Sequence, residues 1–97
     1  MAYIRVSLMR PIPGHEAEVD RLNRELVAYY RRFPGCLAAY YVQAADGSGE
    51  MGRVSVWQSD DDADRAANDD HSLALRSQLH LLIQPGHQDR SFQAEAP

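Results

Sequence analysis

The sequence predicts an α+β domain, in which one four-stranded antiparallel sheet carries its helices on a single face. Three observations support this. Four short segments read as strands. Two stretches between them switch to helical period. Clusters of Pro, Gly and Asp mark most of the changes.

The first strand covers residues 3–9, where Ile4, Val6 and Leu8 point one way and Tyr3, Arg5, Ser7 and Met9 the other. Pro11, Pro13 and Gly14 break it. From His15 the period becomes helical, with Val19, Leu22, Leu26, Tyr29 and Phe33 in one stripe. Glu16, Glu18 and Asp20 near the start, and Arg31 and Arg32 near the end, suit the helix dipole. Pro34-Gly35 ends the helix. Residues 36–44 read as the second strand, Asp46-Gly47-Ser48-Gly49 as a hairpin turn, and residues 51–58 as the third strand. On that strand Val54 and Val56 share one face, and Arg53, Ser55 and Trp57 the other. Ser59, with Asp62 three residues on, is a helix N-cap close to a capping box, and a short helix runs through Ala63, Ala66 and Ala67. Asp69 or Asp70 caps a further helix, with Leu75, Leu79 and Leu82 or Ile83 as its buried stripe, and Pro85-Gly86 stops it. Residues 89–94 make a short last strand.

The order β-α-β-β-α(α)-β is the split βαβ, ferredoxin-like arrangement. It spans one domain, residues 1–97, with its core in 3–94 and a frayed tail over 95–97. A sheet with helices on one face needs its other face covered. The chain has no spare element for that, and 97 residues bury only about 60–68% of their unfolded surface. A second copy of the chain is therefore the expected partner, giving a homodimer through facing sheets.

Composition narrows the function. Hydrophobic residues at 44% and charged residues at 25% place the chain in the globular class. Fourteen acids stand against ten bases, all ten of them Arg. Without lysine, Schiff-base and P-loop chemistry are excluded. Without a basic stripe, nucleic acid is not an expected partner. The lone Cys36 cannot form an internal disulfide. No apolar run reaches the length of a membrane span or a signal peptide, so no membrane partner and a cytoplasmic location are expected.

Motif order adds a resemblance. Pro-Gly-His-Glu-Ala-Glu opens helix one, and Phe-Pro-Gly-Cys closes it before strand two. Strand three ends in Val-Ser-Val-Trp-Gln-Ser, and an acidic, alanine-rich helix and a His follow. Over residues 3–94 this resembles the antibiotic biosynthesis monooxygenase (ABM) domain family, of the dimeric α/β barrel superfamily. The resemblance implies a homodimer whose facing sheets form the barrel, with a small-molecule pocket in each subunit between sheet and helices. It also implies oxidation of aromatic or quinol compounds by dioxygen with no cofactor, among other chemistries in the family. The haem-degrading branch uses an Asn on strand one, a Trp in the helix after strand three and a His beyond it. Those positions hold Ser7, a residue near Arg65, and Arg76 or Ser77, so haem degradation is set aside.

Within this frame His71 is the candidate base, or else a surface His at a helix start. Arg53 and Arg76 are candidates to stabilise a phenolate or enolate, or else partners of the many acids; Arg5 is a further one. Trp57 and Tyr41 are candidate aromatic walls of the pocket, with Trp57 alternatively a core residue. Ser7, Met9 and Ser55 are candidate lining residues. No metal site is expected, because His71, His80 and His87 are spaced 9 and 7 apart, which sets no two ligands on adjacent turns of one helix. The expected function is a cofactor-independent monooxygenase acting on a small aromatic or quinol-type compound. The alternative is a non-enzymatic dimer that binds a small molecule or serves in stress with a vestigial pocket.

Overall fold

Strand β1 (Ala2–Met9) lies between β3 (Met51–Trp57) and β4 (Gln88–Ala94), and β2 (Cys36–Gln43) pairs with the free edge of β3. The sheet order is β2-β3-β1-β4, and each neighbouring pair is antiparallel. β1 is therefore parallel to β2 with β3 between them, and β3 is parallel to β4 with β1 between them. Helix α1 (Glu16–Tyr30) makes the first crossover, and α2 (Asp60–Ala67) with α3 (Asp70–His80) makes the second. This is the ferredoxin-like α+β fold. The computed structural model describes all 97 residues, and no helix is long and apolar enough to cross a membrane.

Register assigns the two faces of the sheet. Tyr3, Arg5 and Ser7 pair with Trp57, Ser55 and Arg53, so these side chains share the face that the helices cover. Ile4 and Val6 pair with Val56 and Val54 on the opposite face, joined by Tyr40 from β2 and Phe92 from β4. No element packs on that second face, and Tyr40 is 53% and Phe92 40% exposed. The molecule is 19 Å across its thinnest axis, the depth of one sheet plus one helix layer. At Gly52 of β3 a Cβ would lie 1.8 Å from the Ser7 carbonyl oxygen, so the β1–β3 approach requires glycine there.

The core lies between the covered face and the helices. Val19, Leu22 and Leu26 of α1 pack with Trp57, Met9 and Met51, and Leu75 and Leu79 of α3 complete the cluster. The α1 stripe differs from the sequence reading. Its last buried member is Tyr30, with Tyr29 only half-buried, and the helix stops three residues before Phe33. The reason is local. Pro34 disfavours helical backbone at Phe33, and the N–H groups of Arg32 and Phe33 bond to Tyr29 and Tyr30 in tight three-residue steps. Arg31 becomes the C-cap and no base occupies the last turn.

The second crossover follows its caps. Ser59 Oγ accepts from the Asp62 N–H at 3.2 Å and donates to the Asp62 carboxylate at 2.9 Å. Of the two possible caps for α3, Asp69 takes the role, accepting from the His71 N–H at 3.0 Å. The segment after β1 pairs with the segment after α3, through a Pro11–Ile83 bridge and bonds from Ile12 to Leu82 and from Gln84 to Arg10. This short ladder ties the end of α3 to the sheet.

Candidate active site

A cavity of about 230 Å³ lies between the helix-covered face of β1, β3 and β4 and the inner sides of the helices. Its deepest wall is Trp57, 1% exposed. The indole N–H donates to Ser55 Oγ at 2.8 Å, and Tyr30 meets the ring edge-on at 5.9 Å between centroids. Both rings border the cavity, so their positions are fixed by packing and by one hydrogen bond. Ala63 and Ala67 of α2 line the same space, and their small side chains leave it open.

Three guanidinium groups surround this apolar wall, those of Arg5, Arg53 and Arg76; Arg90 borders the cavity, but its register places its side chain with Val6 on the opposite face of the sheet. Arg5 is neutralised by an ion pair with Asp64. Arg53 is not. It is buried, and its Nη1 donates to the neutral Oδ1 of Asn23 at 2.5 Å. Burial pushes its pKa down from the ordinary arginine value; Tyr30 and the Asp89 carboxylate act against that, and neighbouring Arg76 acts with it. An arginine nonetheless stays charged in a protein. Arg76 donates to the Ala67 carbonyl at 3.2 Å, close to the end of α2, where the helix dipole favours a cation. The Arg90 guanidinium lies over the Phe92 ring at 4.8 Å.

One carboxylate, Asp89 of β4, lines the cavity. Ser7 Oγ donates to it at 2.6 Å. His87 Nε2 stands 3.6 Å from its other oxygen, and His80 meets His87 edge-on at 5.0 Å. The row Ser7, Asp89, His87, His80 thus runs along the rim of the cavity, with the Asp89 side chain itself 57% exposed.

The structure therefore gathers Arg53, Arg76, Trp57, Ser7 and Ser55 around one cavity and leaves three other candidates outside it. His71 is exposed at the start of α3, its ring edge-on to Tyr29 at 4.6 Å. The cap that orders this turn also accepts the Tyr29 hydroxyl at 2.6 Å, which holds His71 on the outer side of α1. Tyr41 shares the covered face, but Asp20 and Arg24 of α1 close over it. Its hydroxyl donates to Asp20 at 2.7 Å and the Arg24 guanidinium lies 4.1 Å from its ring centre. Met9 belongs to the core, with its sulfur 3.5 Å from Asn23 Nδ2. The Cys36 thiol is half-buried and pushed up by that burial, the opposite of a reactive thiolate.

Asn23 and Asp89 went unnoticed in the sequence. Asn23 carried a signal, being a polar residue in phase with Val19 and Leu26 on an otherwise apolar stripe. Asp89 carried none, because the register of a short terminal strand fixes where it points.

The fold recurs in known proteins. The profile of the antibiotic biosynthesis monooxygenase family matches residues 2–78. The chain belongs to this family. Among solved structures, the antibiotic biosynthesis monooxygenase fold seen here superposes on Rv0793 from Mycobacterium tuberculosis with a TM-score of 0.90 at 18% identity, covering 100% of this chain and 98% of that one. SnoaB, a cofactor-independent oxygenase from Streptomyces nogalater, gives 0.82 at 20% identity, over 99% and 95%. PA3566 from Pseudomonas aeruginosa gives 0.85 at 24% identity, over 98% and 95%. At these identities the likeness concerns the fold. No curated protein sequence matches this antibiotic biosynthesis monooxygenase domain.

Proposed function

We propose that this chain is a cofactor-independent monooxygenase that oxidises a small aromatic or quinol-type compound in the Trp57 cavity. One observation carries the reading: a single cavity joins an aromatic wall, a buried guanidinium and one proton acceptor. The SnoaB description as a cofactor-independent oxygenase supports the reaction class.

In this reading the substrate ring lies against Trp57 and Tyr30. Its acidic C–H or O–H proton passes to the Asp89 carboxylate, which takes the role expected of His71. Arg53 stabilises the anion that forms, in a site whose burial strengthens that attraction. The anion gives one electron to dioxygen, and the radical pair combines to form a C–O bond. The resulting hydroperoxide loses water as a second substrate proton leaves. A ring CH₂ becomes a carbonyl, one oxygen atom of dioxygen stays on carbon and the other leaves as water. The four electrons lost by carbon are those gained by dioxygen. Ser7 holds Asp89 in place, and the exposed Asp89 carboxyl, with His87 beside it, returns its proton to solvent.

The reading includes a cytoplasmic homodimer joined through facing sheets. The uncovered apolar face supports the dimer, and the free Cys36, which needs no oxidising compartment, is consistent with the cytoplasm. Oxygen uptake over a panel of quinols and anthrones tests the activity. Wild type is expected to exceed the buffer rate on at least one compound, with Trp57→Phe slower. A wild-type rate equal to buffer across the panel overturns the enzyme reading, and tight binding without turnover leaves a small-molecule carrier in its place.

A further inference from the structure

We infer that the substrate of this cavity is an aromatic acid, whose carboxylate seats between Arg53 and Arg76 while its ring lies on Trp57. The inference rests on the cavity being the substrate site and adds the class of compound that it selects.

The charges of the cavity do not balance. Arg5 has Asp64, and Asp89 is the only carboxylate on the wall, already engaged by Ser7 and His87. Arg53, Arg76 and Arg90 form no ion pair with any carboxylate of the chain. Arg90 rests on an aromatic face at the sheet edge. Arg53 and Arg76 have only neutral oxygen acceptors, on Asn23 and Ala67. Arg53 is 8% exposed, so water does little to compensate its charge. A buried guanidinium without an ion-pair partner is expensive; Asp89 offsets part of the Arg53 charge from a distance, while Arg76, a second cation facing the same space, adds repulsion. An anion held between the two removes both costs.

The form of the site selects the anion. The guanidinium fork matches a carboxylate or a phosphate in two parallel hydrogen bonds, and the rest of the wall decides between them. A phosphate is commonly held by backbone N–H groups of a glycine-rich turn, and no glycine lines this cavity. The remaining wall is Trp57, Tyr30, Ala63 and Ala67, which suits a flat apolar body. A cavity of about 230 Å³ has room for a ring system of modest size. An acid of this kind also has its ring fixed by the carboxylate, so the reacting carbon is oriented before dioxygen arrives.

The test compares 1-hydroxy-2-naphthoate with its neutral primary amide by titration calorimetry on the full chain. Wild type is expected to bind the acid about tenfold or more tighter than the amide, as a charge-assisted bidentate contact requires. The preference is expected to fall toward unity in Arg53→Gln and, should that buried change unfold the protein, in Arg76→Gln. Equal binding of acid and amide by wild type overturns the inference, as does a preference that survives Arg76→Gln. The two readings fail separately. Equal binding with quinol-driven oxygen uptake intact removes the acid preference and leaves the monooxygenase. A strong acid preference without oxygen uptake on any compound leaves an aromatic-acid binding site and removes the monooxygenase. Binding of neither compound overturns the acid inference.

Discussion

Arg53 of β3 reaches across the core to Asn23 of α1, donating to its Oδ1 at 2.5 Å, with both side chains buried. Asn23 is held from behind by its own bond to the Val19 carbonyl at 3.1 Å. The pair fixes a cation at the cavity without neutralising it, which a carboxylate in place of Asn23 would do. Asn23→Leu, close in volume, strips the guanidinium of its acceptor. It is expected to cost about 2–3 kcal/mol in urea denaturation, the range for a lost hydrogen bond to a buried charged group. A change below about 0.5 kcal/mol would contradict this role.

His71 and Asp89 separate by place. His71 lies outside the cavity and Asp89 on its wall. Asp89→Asn is expected to lower kcat by about a hundredfold or more, the usual worth of a general base, with the fold intact by circular dichroism. His71→Ala is expected to leave kcat within about twofold, since its ring lies against Tyr29 and out of reach of the cavity. The reverse pattern would return the base to His71.

The uncovered face predicts an association. Val54 stands at the centre of that face, between Tyr40 of β2 and Val6 of β1. Sedimentation is expected to give about twice 10.9 kDa for wild type. Val54→Asp places a charge in the middle of the proposed seam and is expected to yield monomer. A wild-type monomer at micromolar concentration would sink the facing-sheet dimer.

Acid stability follows from Asp20 and Asp69. The Arg24 guanidinium, aided by the Tyr41 hydroxyl, holds the Asp20 carboxyl below the usual carboxylate range, and the Tyr29 hydroxyl does the same for Asp69. A carboxylate whose folded pKa is lowered contributes stability that is fully present above its unfolded pKa. That contribution is lost as pH falls through the folded value. Thermal midpoints are therefore expected to decline below about pH 4, and less steeply in Asp20→Asn. A variant slope equal to that of wild type would contradict the assignment.

The sequence made the fold legible wherever a residue's neighbours along the chain decide its state. The alternation around Val6, the Ser59 cap and the Pro34-Gly35 stop are of this kind. The covered face of β3 was legible too, because a period of two places Arg53, Ser55 and Trp57 together whatever their partners. What escaped depends on packing between distant elements. Tyr41 shares a face with Arg53, yet α1 seals it off through Asp20 and Arg24. Tyr30 rather than Tyr29 turns inward because helix α1 buries a stripe through Val19, Asn23 and Val27. Asp89 enters the site through the register of β4 on β1, which pairs it with Ser7.

Oxygen-isotope labelling tests the central claim most directly. Wild type is incubated under ¹⁸O₂ with an anthrone or hydroxynaphthoate that it consumes, and the product is read by mass spectrometry. The account predicts one labelled oxygen in the product, the other in water, with product formation that collapses in Asp89→Asn and slows in Trp57→Phe. Product formed no faster than in buffer, or product oxygen that comes from water instead of dioxygen, would contradict it.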